Sequence, residues 1–139
     1  MYAGVFERYP NLQMIFPHLG GTAPYLMGRI TWGYERFKVC NENLSMPPLE
    51  YFKRFHYDTV IRNVPALQMG LTMFGADHIM FGTDCPFDPE GGPMFIREGI
   101  RAINSLKLSD ADLRKLYYAN AIEMLRLDLP ASAIRRRKA

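Results

Sequence analysis

Three short stretches of the chain are rich in apolar and strand-forming residues, and a longer helical pattern follows each of them. We predict strands at residues 12–16, 54–60 and 78–82. Turn-forming residues, mainly glycine, proline and asparagine, separate the strands from the helices. The alternation of strands with helices predicts an α/β fold, in which the strands form a parallel sheet with right-handed crossovers.

The three main helices are predicted from capping residues and from apolar residues at helical spacing. We expect Thr22 to cap the start of the first helix and Asn63 to cap the start of the second. We expect Gly75 to end the second helix and Pro93 to begin the third. The apolar positions at helical spacing are Leu26, Ile30, Gly33 and Phe37 in the first helix, Leu67, Leu71 and Phe74 in the second, and Ile96, Ile100, Ile103 and Leu106 in the third.

Further helix is predicted at both ends of the chain. Residues 4–9 have the pattern of a helix end, and Pro10 then turns the chain. Near the other end, two capping boxes predict helix starts, because a capping side chain and an acidic residue are three positions apart. These capping boxes pair Ser109 with Asp112 and Asn120 with Glu123.

A parallel sheet of three strands is incomplete as a folding unit. Parallel sheets are normally covered on both faces, and the two outer strands expose unpaired backbone groups that invite further pairing. Two arrangements solve this problem. Either the chain assembles with copies of itself as a homo-oligomer, or it is part of a larger barrel.

Composition limits the class of protein. The chain has 139 residues, 48% of them hydrophobic, which suits one globular domain. Cys40 and Cys85 are too far apart in sequence for a disulfide framework or a CxxC metal site, so we expect a reducing cytoplasm. No apolar run approaches the roughly 20 residues of a membrane span, and we therefore expect no membrane association.

The net charge of +3 is concentrated at the end of the chain, where residues 135–138 are all basic. We interpret residues 128–139 as a basic, solvated tail that follows a domain at residues 1–127. Nucleic-acid binding through this tail is an alternative. We expect no nucleic-acid partner, because the chain has no surface motif in which aromatic and basic residues alternate.

Residues that carry chemistry lie where the predicted strands end. They are His18 after the first strand, His56 or Asp58 in the second, and Asp84 after the third. The carboxyl ends of parallel strands are where ligands and catalytic groups collect. Imidazole and carboxylate groups bind divalent metals, and a histidine also transfers protons near neutral pH. An aspartate shortly before a proline is also a common turn residue, so the pattern of Asp84 alone leaves both interpretations open.

Several sequence segments resemble the C-terminal part of amidohydrolase-related proteins, the group that includes aminocarboxymuconate-semialdehyde decarboxylase. They follow one another in the order found in that family and cover nearly the whole chain up to about Leu127. They are at residues 7–12, 17–21, 28–30, 54–59, 81–87 and 120–121. The resemblance implies that the chain supplies the last three βα units of a (β/α)8 TIM barrel.

The resemblance also implies an activity and assigns residues to it. The expected activity is that of a metal-dependent hydrolase or a non-oxidative decarboxylase (a lyase) that acts on a small carboxylated substrate. Asp84 matches the family's metal-binding aspartate, His18 matches its catalytic histidine, and Arg29 matches an arginine that reaches toward the substrate carboxylate near a subunit interface. The expected cofactor is a divalent metal, with zinc preferred.

The family's remaining metal-binding histidines, on its first and fifth strands, have no counterpart in this sequence. We therefore expect residues 1–127 to form a partial barrel that carries one metal ligand and one acid–base group. For the isolated chain we expect weak or absent metal binding and no useful turnover. The alternative function is a self-associating α/β fragment without catalytic activity.

Overall fold

The computed structural model describes residues 1–130, and most of the predicted basic tail, including residues 135–138, lies outside the described residues. The strands are β1 (Ile15–Phe16), β2 (His56–Asp58) and β3 (Ile79–Met80). The helices are α1 (Val5–Arg8), α2 (Ala23–Arg36), α3 (Lys38–Asn41), α4 (Pro48–Phe52), α5 (Val64–Phe74), α6 (Pro93–Asn104), α7 (Asp110–Arg114) and α8 (Asn120–Met124). Short 3-10 turns occupy His18–Gly20 and Ala76–His78, and a π-helical turn, Lys115–Ala119, joins α7 to α8.

The strands form one parallel sheet in the order β1-β2-β3, which confirms the predicted α/β architecture. Tyr57 of β2 pairs with Phe16 of β1 on one side and with Ile79 of β3 on the other. Because all three strands run in the same direction, their carboxyl ends lie at one edge of the sheet. We call this edge the carboxyl edge, and the opposite one the amino edge.

Each strand is shorter than its apolar run predicts. In the first run, the strand begins only at Ile15, and Leu12 lies in the preceding segment and is exposed. β1 pairs only with β2 among residues 1–130, so its other side is open and the side chain of Ile15 is 41% exposed. A strand is therefore present within residues 12–16 as predicted, but it is shorter and more exposed than the apolar run indicates, because hydrophobicity alone does not reveal that a strand lies at the end of a sheet.

The core surrounds β2 and includes α5. Tyr57 is fully buried, and its ring stacks on that of Phe74 at a centroid distance of 4.1 Å. Its hydroxyl donates a hydrogen bond of 2.8 Å to the backbone carbonyl of Phe52, so the buried polar group is satisfied. Burial also raises the pKa of this phenol well above its ordinary value. The central residue of β2 is thus part of the core, and both residues of β3 are buried as well.

Two of the predicted helix caps are present and two are not. The side chains of Asn63 and Ser109 accept hydrogen bonds from the backbone N–H groups of residues 66 and 112, as predicted. Thr22 directly precedes α2, but its side chain makes no capping hydrogen bond. Asn120 lies inside a continuous helical segment, so the prediction of a capping box there is wrong.

The exposed faces of α2 and α6 also differ from the prediction. Pro24 and Met27 are the buried residues of α2, whereas Leu26 and Phe37 are exposed. In α6, Ile103 is buried as predicted, but Ile96 and Ile100 are exposed, and Gly99 and Ala102 contact the core in their place. Apolar spacing identifies a helix, but it does not determine which of two apolar faces meets the sheet.

None of the helices in residues 1–130 has both the length and the apolar character that a membrane crossing requires.

Candidate active site at the carboxyl edge of the sheet

The structure places His18 and Asp84 in loops that leave the carboxyl edge, as their positions after two strands predict. Both side chains are exposed. Both residues have left-handed backbone conformations, with φ of 55° at His18 and 62° at Asp84. This conformation is uncommon for residues other than glycine, and it recurs at functional sites.

The loop that carries His18 is held by the next residue. Leu19 is 2% exposed and packs against Gly70 of α5, where an added Cβ atom would lie 2.5 Å from the leucine Cδ2 atom. On the other side, Gly20 adopts φ of 78° and lies so close to the Tyr57 ring that an added Cβ would be 2.9 Å from it. The two small residues allow Leu19 to enter the core, and the turn then directs His18 outward.

Asp58, at the end of β2, connects this loop to the sheet. Its Oδ1 atom accepts hydrogen bonds from the backbone N–H groups of His18 and Val60, at 2.7 and 3.0 Å. Sequence reasoning left His56 and Asp58 as alternatives, and the direction of the His56 side chain was left open because a shift of one residue reverses the face of a strand. The structure resolves this choice, since Asp58 lies at the carboxyl edge and His56 lies at the amino edge.

β2 and β3 approach each other closely at the same edge. An added Cβ on Gly82 would lie 2.8 Å from the Asp58 Cβ, so only glycine fits there without displacing the aspartate. The hydroxyl of Thr59 accepts a hydrogen bond from the Gly82 N–H at 3.1 Å and donates one to the Gly82 carbonyl at 3.3 Å. These contacts fix the backbone two residues before Asp84. In the sequence, the feature that could have predicted these contacts with Gly82 is the adjacent pair Asp58 and Thr59 at the end of the second strand.

The loop after Asp84 is organised by a second carboxylate. Asp88 is 8% exposed and accepts hydrogen bonds from the N–H groups of Glu90 and Phe95, at 2.7 and 3.0 Å. Burial alone raises the pKa of the Asp88 carboxyl, but hydrogen bonds from backbone N–H groups of the loop outweigh burial and lower this pKa below its ordinary value. Sequence reasoning missed this residue, whose role is to shape the loop that starts at Asp84.

Arg29 lies outside this cluster. It is exposed on α2, and within residues 1–130 no hydrogen bond or ion pair links it to His18 or Asp84. The structure therefore brings together His18, Asp58 and Asp84 at one edge, while the third predicted site residue, Arg29, projects from a helix surface.

The described residues do not complete a metal site. Catalytic zinc usually takes three protein ligands. Within residues 1–130, no group of three histidine, cysteine, aspartate or glutamate side chains is arranged to hold a metal ion. Asp84 has a suitable donor atom for a hard divalent cation, but the ligand set around it does not fit a catalytic metal by itself.

The other two histidines form a separate cluster at the amino edge. The rings of His56 and His78 have a centroid distance of 5.4 Å, and the Nδ1 atom of each is buried without a hydrogen-bond partner in the described part of the chain. They line a polar cleft of about 800 Å³. Burial lowers the pKa of His56, the neighbouring His78 lowers it further, and Glu123 acts in the opposite direction. His78 directly precedes β3 and therefore lies at the opposite end of this strand from Asp84.

The fold and the site define a parallel α/β protein with one histidine and two aspartates, His18, Asp58 and Asp84, at the carboxyl edge of the sheet. A family profile described as Amidohydrolase matches residues 1–127. The chain therefore belongs to the amidohydrolase family, which confirms the resemblance found in its sequence.

Several curated relatives of the chain are decarboxylases. The chain is 33% identical over 130 residues to 2-amino-3-carboxymuconate-6-semialdehyde decarboxylase of Dictyostelium discoideum, and the match covers 92% of this chain and 35% of that protein. It is 29% identical over 131 residues to gamma-resorcylate decarboxylase of a Polaromonas species, with 92% and 38% covered. The chain thus spans little more than a third of the length of these relatives.

Solved structures show the same relationship. The IDCase of Metarhizium anisopliae in its apo form has a TM-score of 0.79 and 29% identity, and the match covers 90% of this chain and 36% of that one. A dihydroxybenzoic acid decarboxylase from a Polaromonas species, solved with bound manganese and the inhibitor 2-nitroresorcinol, has a TM-score of 0.77 and 26% identity, with 96% and 40% covered. A divalent metal is therefore bound in a structural neighbour of this chain.

Proposed function

We propose that this chain forms the C-terminal part of a (β/α)8 barrel decarboxylase that depends on a divalent metal and acts on a small aromatic or related carboxylate. The observation that carries the proposal is the joint position of His18 and Asp84 at the carboxyl edge of a sheet that belongs to this family. Hydrolysis instead of decarboxylation is the less favoured reaction, because the relatives compared above are decarboxylases.

Asp84 is proposed as a metal ligand. Its side chain is exposed at the carboxyl edge, and a carboxylate oxygen suits manganese or zinc. The described residues lack the rest of a ligand set, so those ligands would have to come from outside residues 1–130. A divalent metal, when bound, supplies positive charge that polarises a substrate.

His18 is proposed as the acid–base group. Decarboxylation replaces a carboxylate with a proton, and a histidine can deliver a proton near neutral pH. The hydrogen bond from the His18 backbone to Asp58 holds the residue at the edge, while its exposed imidazole stays free to meet a substrate. Asp58 thus positions His18 through the backbone.

Arg29 is proposed to bind the substrate carboxylate of a neighbouring subunit. A guanidinium is always charged and can donate two parallel hydrogen bonds to a carboxylate. Its position on the exposed face of α2 suits contact with another protein surface better than contact with His18 of its own chain. This role requires a homo-oligomer.

A chimeric enzyme tests the proposal. Residues 1–127 would replace the matching C-terminal region of the Dictyostelium relative, and decarboxylation of that relative's substrate would be measured with and without manganese or zinc. We expect metal-dependent activity that falls at least about 100-fold in His18→Asn and Asp84→Ala variants. Asp110→Ala, which removes an exposed carboxylate at the start of α7, serves as the matched control and should keep the activity.

The chimera also has a contradicting result. If it folds, binds metal and decarboxylates the substrate equally well after Asp84→Ala and His18→Asn, these two residues are not part of the site. Metal content measured by mass spectrometry separates the two roles, because the metal should be lost in the Asp84 variant and kept in the His18 variant.

A self-associating fragment without catalytic activity is the second candidate function. The observation that favours it is the apolar surface of α2, where Tyr25 is 79% exposed and Trp32 is 53% exposed, together with the open side of β1. Sedimentation of the isolated chain tests this candidate. A monomer at all concentrations would exclude it, and a stable dimer that the double variant Tyr25→Ser and Trp32→Ser dissociates would support it.

A further inference from the structure

Arg62 is a charged residue at the carboxyl edge that the proposed function does not yet use. It lies in the loop between β2 and α5 and has a left-handed backbone with φ of 48°. Each of the three loops that leave this edge therefore contains a non-glycine residue in this conformation, namely His18, Arg62 and Asp84.

The guanidinium of Arg62 is held in one place. Its Cζ atom lies 3.5 Å from the centroid of the Phe95 ring, a distance typical of a cation–π contact. One of its nitrogens donates a hydrogen bond of 3.3 Å to the carbonyl of Thr83, the residue directly before Asp84. The positive charge is therefore fixed beside the backbone of the proposed metal ligand.

The charge of Arg62 has no partner of opposite sign within residues 1–130. The ion pairs of the described residues involve other cations, and Arg62 is half-buried. Its guanidinium has five N–H donors, of which the contact with Thr83 uses one. The fully buried side-chain nitrogens that lack a partner in this part of the chain belong to His56 and His78, and the unused nitrogens of Arg62 are not among them.

We propose that Arg62 is a carboxylate-binding residue of this site, which receives the carboxylate of an aromatic acid on the free edge of its guanidinium. This inference deepens the proposed function, because it names a residue at the carboxyl edge for the substrate class. It differs from the role of Arg29, which lies on α2 and requires a second subunit. A guanidinium that rests on an aromatic ring is pre-organised, so it binds a carboxylate with little loss of conformational freedom.

An NMR titration of the 139-residue chain tests this inference without a metal. Amide shifts of the ¹⁵N-labelled protein would be followed as salicylate is added, with uncharged salicylamide as the matched probe. With salicylate we expect saturable shifts of the amide signals of residues 62, 83 and 84. With salicylamide the apparent affinity obtained from these shifts should be at least about tenfold weaker. A charge-assisted hydrogen bond accounts for a difference of this size.

Substitutions assign the binding to the side chain. Arg62→Met should weaken salicylate binding about tenfold or more, whereas Arg101→Met, on an exposed surface of α6, should change it less than about twofold. Arg62→Asn is the second variant, because asparagine tolerates a left-handed backbone and keeps the loop folded while it removes the charge. Arg62→Lys keeps the charge but not the planar fork and should retain only part of the affinity.

Three results would overturn the inference. They are unchanged salicylate affinity in both charge-removing variants, equal affinity for salicylate and salicylamide, and the absence of saturable shifts in the unaltered chain. The result is independent of the chimera experiment. If salicylate binding depends on Arg62 but a folded chimera is inactive, the proposed function alone is rejected. If the chimera is active but salicylate binding does not depend on Arg62, this inference alone is rejected.

Discussion

The two edges of the sheet contain similar residue types but use them differently. At the amino edge, His56 and His78 pack against each other, and the buried amide of Asn120 donates hydrogen bonds to the carbonyls of Ala76 and Ile79 at 2.7 and 2.8 Å. At the carboxyl edge, Asp58 holds a loop by its backbone, and the side chain of His18 stays exposed. At the amino edge, Asn120 thus ties two backbone segments together beside the histidine pair, while the carboxyl edge leaves the side chain of His18 available to a ligand.

The difference shows that residue type does not identify a site. A search for histidines would select three positions, and the structure separates one of them from the other two. The separating feature is the direction of the strands, because parallel strands deliver the loops that follow them to a single edge. We therefore expect substitutions at the amino edge to change stability, and substitutions at the carboxyl edge to change ligand binding as well.

The largest expected effect is at the amino edge. Asn120→Ala removes the hydrogen bonds to the partly buried carbonyl of Ala76 and to the buried carbonyl of Ile79. We expect the free energy of unfolding to fall by about 2–4 kcal/mol. Urea denaturation followed by circular dichroism measures the change. Asn11→Ala, at an exposed position, is the control and should change stability by less than about 0.5 kcal/mol. Equal effects of the two substitutions would contradict the role of Asn120.

A smaller effect is expected from Gly82→Ala at the carboxyl edge. The added Cβ would lie 2.8 Å from the Asp58 Cβ, so the aspartate or the strand must shift. We expect a loss of about 1–3 kcal/mol of stability and faster hydrogen exchange of the His18 amide, whose acceptor is displaced. Gly28→Ala in α2 is the matched control, because no atom lies within 4 Å of its added Cβ, and it should stabilise the chain by about 0.5–1 kcal/mol. A normal His18 amide in Gly82→Ala would refute the coupling of these two loops.

The smallest effect is a dependence of stability on pH through the amino edge. The pKa of His56 is lower in the folded chain than its ordinary value, so the unfolded chain binds more protons between these two values. Stability should therefore decrease as the pH falls below about 6.5, by less than about 1 kcal/mol because solvent screens a partly exposed group. Urea denaturation at several pH values measures the slope. His56→Gln should flatten this slope, and an unchanged slope in this variant would rule out the assignment.

The order of the elements could be predicted from the sequence because it depends on local patterns. Apolar runs and helical spacing located all three strands and the helices that follow them, and the loop after each strand could be searched for chemical groups. His18 and Asp84 were found in this way. Asn63 and Ser109 were correctly identified as caps because capping is also a local interaction.

The rest of the site depends on contacts between distant residues. Asn120 has the local pattern of a cap, yet its amide bonds to residues more than 40 positions away. Asp58 could not be separated from His56, because the choice depends on the register of β2 against both neighbouring strands. Arg62 gives no motif signal, since its contacts with Phe95 of α6 and with Thr83 in the loop after β3 exist only in the folded chain.

The most direct test of the difference between the edges is to map where manganese approaches the chain. The ¹⁵N-labelled 139-residue protein would be titrated with MnCl₂ well below stoichiometry, and paramagnetic broadening would be measured at each amide. We predict selective broadening at residues 83–85 and 18 that Asp84→Ala removes and Asp77→Ala, at the amino edge, leaves unchanged. Broadening centred on His56 and His78, or broadening at residues 83–85 that persists in Asp84→Ala, would contradict the proposal that Asp84 is the metal ligand of this chain.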